Sequence, residues 1–154
     1  MVLTFQYSLL AYFVRAQVYI KQQKFQEAID DFTKFLEESE ILTDEEGLKQ
    51  KSDILYWRSL CWLKRDKEVN TEMLGPQVME PLMNAAKEIL TSNSQAYSNV
   101  DSNLIRALAD AYESADLVSS PKTLSLIEHC IKRILENVSN GEDILKKISN
   151  LWNP

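Results

Sequence analysis

Residues 9–36 read LLAYFVRAQVYIKQQKFQEAIDDFTKFL, and the fold is decided there. Leu9, Tyr12, Phe13, Ala16 and Tyr19 recur at helical spacing and share one side of a helix that spans about residues 5–20. The polar residues 21–24 (KQQK) interrupt the pattern. It resumes with Phe25, Ala28, Ile29, Phe32, Phe35 and Leu36, before the run Glu37, Glu38, Ser39, Glu40 ends the second helix. A break this short forces the two helices into an antiparallel hairpin.

Outward from this hairpin the chain keeps the same habit. Thr43 with Glu46 has the spacing of a capping box and opens a third helix through Leu48, Ile54, Leu55, Leu60, Trp62 and Leu63. Pro76 suits the first turn of a fourth helix, where its missing amide donor is not needed. Val78, Met79, Leu82, Met83, Ala86, Ile89 and Leu90 carry it, and Pro81 places its start near Glu80 or bends it. Residues 91–103, rich in Ser and Asn, read as a loop. Asp101 or Ser102 caps a fifth helix, and Ser120 with Pro121 opens a sixth that Asn140 and Gly141 stop. Ile144, Leu145, Ile148 and Leu151 make a short seventh. The expectation is one all-α domain over residues 1–154, with about seven helices. They form hairpins at about 5–39, 43–91 and 101–139, and a capping helix at about 141–152.

Composition agrees with this reading. At 154 residues the chain is long enough for one self-sufficient core. Three Gly and four Pro are too few for glycine-rich phosphate loops or the many tight turns of an all-β domain. Seventeen basic against 23 acidic side chains give a net charge of -6, which argues against nucleic-acid binding and favours a basic partner. The longest fully apolar run, Leu9 to Val14, falls short of the roughly 20 residues that cross a bilayer. The amino-terminal stretch also lacks the basic leading segment of a secretory signal. Cys61 and Cys130 lie in apolar helical patterns outside any CxxC or Cys/His cluster and read as buried free thiols. An intracellular protein, cytoplasmic or nuclear, is the expectation.

The first hairpin resembles the tetratricopeptide repeat. Tyr12, Ala16, Tyr19, Ala28 and Phe32 follow the family's order of aromatic, small residue and Tyr on helix A, then Ala and Phe on helix B. The spacings of four, three, nine and four match as well. The four-then-three spacing returns in Leu55, Ser59 and Trp62 and in Ile105, Ala109 and Tyr112. Tyr19, Trp62 and Tyr112 stand 43 and 50 residues apart, against a family period of 34, so the repeats are degenerate and their extra residues fall in loops. The resemblance implies a right-handed superhelix that binds a peptide or helix of another protein in a groove lined by its A helices. Its groove-facing positions fall on Phe13 and Gln17, Tyr56 and Leu60, and Arg106 and Asp110. Where the chaperone-adaptor subgroup carries Lys and Asn, this chain has Phe13 and Gln17.

Chemistry for catalysis is sparse. His129 is the single histidine and has no second metal ligand at helical spacing, and GxGxxG, P-loop and GxSxG motifs are absent. The sequence therefore points to a non-catalytic adaptor or complex subunit with no cofactor and no metal. Two alternatives stay open. One is a homodimeric structural protein assembled on its carboxy-terminal helices, where Leu124, Ile127, Ile131, Ile134, Val138, Leu145, Ile148 and Trp152 keep a seam-like spacing. The other is a helical-bundle enzyme with a dispersed active site.

Overall fold

The computed structural model describes residues 2–70, 76–92, 97–138, 141 and 146. Among them are six α-helices, α1 (Val2–Lys21), α2 (Phe25–Glu38), α3 (Glu45–Trp62), α4 (Met79–Thr91), α5 (Ser102–Leu117) and α6 (Pro121–Leu135), and no strand. The expected seventh helix, at about 141–152, falls almost wholly outside the described residues.

Each helix boundary has a local cause. α1 ends in a Schellman turn: Gln23 takes a left-handed φ of 59°, its N–H donates to the Ile20 carbonyl (2.9 Å), and the Lys24 N–H donates to that of Tyr19 (2.8 Å). α3 ends the same way, with Lys64 at φ 57° and the Lys64 and Arg65 amides on the Cys61 and Leu60 carbonyls. The cap of α3 is Asp44 rather than Thr43. Its carboxylate accepts from the Gly47 N–H at 2.8 Å, so no capping box forms with Glu46. Pro76 opens a 3₁₀ turn, and α4 starts at Met79, which puts Pro81 in the first turn where its missing donor costs nothing. Asp101 caps α5, and Ser120 with Thr123 forms a reciprocal capping box on α6. α6 stops at Leu135, ahead of Asn140, because a turn through Glu136 and Asn137 satisfies the last carbonyls and returns Val138 to the core.

α1 and α2 form the predicted hairpin. Ala16 and Ala28 are fully buried and let the helices close, while Phe32 fills the space between them. Arg15 clamps the buried Asp31 through two hydrogen bonds, Nη2 to Oδ1 (2.6 Å) and Nε to Oδ2 (2.8 Å). The Tyr12 hydroxyl donates to Glu38 at 3.1 Å, and that bond chiefly raises the phenol's pKa.

The middle of the chain pairs differently from three successive hairpins. α3 lies along α2 and α5, whereas α4 lies on α5 and α6. Small residues explain the α3–α5 pairing. Ser52 donates to the Ser114 carbonyl at 2.8 Å, Ser114 returns the bond to the Ser52 carbonyl at 2.7 Å, and Ser59 donates to the Ala107 carbonyl at 2.7 Å. With Ala107 and Ala111 also buried, the two backbones approach closely. One core cluster therefore sits between α1, α2 and the Ile54–Cys61 side of α3. The other gathers Tyr56 and Leu60 with α4, α5 and α6, and Trp57 and Trp62 touch both. Helix α3 is apolar on both sides because it stands between two cores.

Candidate functional site

An apolar cleft of about 430 Å³ opens between α1 and α3. Leu9, Phe13, Phe35 and Ile54 make its floor, Leu42 reaches in from the α2–α3 turn, and Leu10 stands at its edge. Gly47 permits this shape, since a Cβ there would lie 2.7 Å from the Leu42 Cβ and 2.8 Å from Asp44 Oδ1. The charged residues of the lining are all acidic: Asp44, Glu46 and Asp53. Lys122 of α6 compensates Asp53 at 3.2 Å, which leaves Asp44 and Glu46 to set the sign of the rim.

The cleft continues along the outer face of α1. Leu10, Val14 and Val18 are 55%, 52% and 47% exposed, and at four-residue spacing they form one stripe two turns long. A helix that buries one apolar face and offers a second to solvent has a face left to cover. The sequence of α1 already carries the signal for this stripe, since it is apolar nearly all round from Leu9 to Val14. Leu10, Val14, Leu42, Asp44, Glu46 and Gly47 are absent from the groove positions that the repeat resemblance supplies.

The six positions expected to line a groove do not meet on one surface. Phe13 is half-buried and lines the cleft, and Gln17 is half-buried one turn further along α1. Tyr56 and Leu60 are fully enclosed in the second core, because α5 packs directly on α3. Burial pushes the Tyr56 phenol up to about 12. Asp110 is 5% exposed and spends both oxygens internally. It accepts from Arg58 Nε and Nη2 (2.8 Å each) and from the Trp62 indole N–H (3.0 Å). Arg106 is exposed, but beside a different cavity that it shares with Phe25, Trp62 and Lys64. There its guanidinium lies 5.2 Å from the Trp62 ring centroid and donates to Asn103 Oδ1 at 3.0 Å. Tyr56, Leu60 and Asp110 therefore belong to the framework. Among the described residues, the expected groove positions meet a contiguous apolar surface only around Phe13.

Other chemistry is equally placed. Cys61 and Cys130 are buried free thiols, both held up at about 12 by burial, far from the thiolate form that reacts. Among the described residues no group of three or more His, Cys, Asp or Glu side chains is placed to hold a metal, and no helix is long and apolar enough to cross a membrane. No protein-family model, curated protein or solved structure matches the chain.

Proposed function

We propose that the chain is a non-catalytic interaction module, a degenerate tetratricopeptide-like array, that takes a basic amphipathic segment of a partner protein on the cleft and outer face of α1. The observation that carries this reading is the joined surface of Leu10, Val14 and Val18 with an apolar floor and an acidic rim. An amphipathic helix places apolar side chains at three- and four-residue spacing, which suits the stripe, and flanking Lys or Arg would meet Asp44 and Glu46. The net charge of -6 adds long-range attraction for such a partner. We assign the module to the cell interior, cytoplasm or nucleus, where buried free thiols stay reduced.

The homodimer alternative has less support. Leu124, Ile127, Ile131, Ile134 and Val138, the first five of its eight seam positions, are buried in the chain's own second core. Leu145, Ile148 and Trp152 lie outside the described residues.

The test is a ¹H–¹⁵N titration of the whole chain with a short amphipathic leucine–lysine helix, with a leucine–glutamate helix as control. Shift changes should concentrate on residues 9–18 and 42–54 with the lysine peptide and be absent with the glutamate one. Shifts of equal size with both peptides, or shifts centred elsewhere, would overturn the proposal.

A further inference from the structure

A second cleft, of about 280 Å³, lies between α6 and the segment that follows α3. Its α6 wall is Ser125, Glu128, His129 and Lys132, which at spacings of three, four and seven form one helix face. The other wall is Arg65, Val69 and Asn70. Arg65 is fixed there because its backbone N–H closes the Schellman turn on the Leu60 carbonyl at 3.0 Å.

This cleft is where hydrogen bonding is left incomplete. Among the described residues five buried side-chain polar atoms have no partner, and three belong to these walls: Arg65 Nε, Ser125 Oγ and His129 Nε2. Ser125 is itself only 7% exposed. Buried polar atoms in folded proteins are nearly always paired, so three orphans around one cavity call for a partner that the described residues do not supply. Arg65 Nε can only donate and a serine hydroxyl donates readily, while Glu128 is already engaged by Lys132 at 2.6 Å. The charged groups facing His129 are Arg65, Lys132 and Arg133 against Glu128 and Glu136, an excess of one positive charge in a chain that is acidic overall. The lining thus offers donors and positive charge in a space near the lower end of what small-molecule sites occupy, roughly 300 Å³ upward.

We propose that this cleft binds the phosphate group of a small phosphorylated ligand, with Arg65, Lys132, Ser125 and Asn70 donating to its oxygens and His129 at its edge. This site is separate from the α1 surface and stands or falls independently of the interaction reading.

His129 is the single histidine, so its ring resonances report this cleft alone. The experiment follows the His129 titration by NMR on the whole chain in chloride, sulfate and inorganic phosphate at matched ionic strength, and with glycerol phosphate as a monoester. Sulfate keeps its charge across the titration and so separates binding from protonation of the probe. An oxyanion bound beside the ring favours imidazolium, so the His129 pKa should rise by about one unit, a tenfold coupling between protonation and binding. Arg65→Gln should abolish the rise while His129 still titrates. A larger effect of glycerol phosphate than of phosphate identifies a phosphomonoester, and equal effects identify the bare oxyanion as sufficient. An identical His129 titration in all four media overturns the proposal, and that result needs no variant to fold.

Discussion

Replacing Asp110 with alanine removes the acceptor of three hydrogen bonds at once, two from Arg58 and one from the Trp62 indole. The Arg58 side chain is only 19% exposed and keeps one other partner, the Thr33 hydroxyl at 3.1 Å. Its charge would be left in a largely dry site. Breaking a buried ion pair from one side costs about 3–5 kcal/mol, and the residual exposure of Arg58 sets the expectation at about 3. Against a typical total of about 5–15 kcal/mol this is a large fraction, and it should lower the melting temperature by roughly 6–12 °C for a domain of this size. Urea unfolding followed by circular dichroism measures it, with the slope m unchanged. Asp110→Asn should lose less, since one acceptor oxygen remains. Arg58→Met combined with Asp110→Leu should recover part of the loss, because it removes the charge that Asp110 balanced and leaves only the half-buried Trp62 indole N–H without its acceptor. A loss below about 1 kcal/mol for Asp110→Ala would refute the reasoning that this pair pins α3 to α5, since exposed pairs already reach that value.

Other expectations follow from local geometry. Gln23→Gly and Lys64→Gly should each stabilise the chain by about 0.5–1 kcal/mol, because left-handed backbone costs a side-chain-bearing residue roughly 1–2 kcal/mol and glycine's entropy offsets only part of it. Gly47→Ala should destabilise by about 1 kcal/mol despite alanine's better helix propensity, since the new methyl displaces Leu42, and it should also weaken peptide binding on the α1 cleft. Burial first, then the charges of Arg65 and Arg133, hold the His129 imidazole below its ordinary value of 6.5. The unfolded chain therefore binds that proton more readily than the folded one. The stability His129 contributes is complete above pH 6.5 and is lost as pH falls from there through the folded pKa. Urea titrations of wild type and His129→Gln over that range should show a shallower acid slope in the variant.

Periodicity and capping chemistry were readable because they are local. The α1–α2 hairpin, the Asp101 cap and the Ser120–Pro121 start each depend on residues within a few positions of one another, and the structure has them. The cap of α3 moved by a single residue, from Thr43 to Asp44, because two adjacent side chains can both serve. What the sequence did not disclose is long-range. Ser52 and Ser114 stand 62 positions apart and carry no apolar signal, yet they set the approach of α3 to α5. That approach is what encloses Tyr56 and Leu60 and turns Asp110 from a surface carboxylate into a buried one, whose Arg58 partner is 52 positions away. Of the six groove positions only Phe13 ends in the cleft, because the family pattern assumes A helices whose inner faces stay open. The apolar stripe on α1 was legible as composition, but its exposure depends on which faces α2 and α3 cover.

The most direct measurement of the central claim compares binding of a labelled leucine–lysine helix, by fluorescence anisotropy, to wild type, to Leu10→Ser/Val14→Ser and to Met79→Ser/Val118→Ser. All four positions are exposed, so folding should survive in both variants, with circular dichroism as the check. The account predicts at least about tenfold weaker binding for the α1 variant and wild-type binding for the other, with affinity falling as salt rises. Equal binding to all three proteins would contradict it.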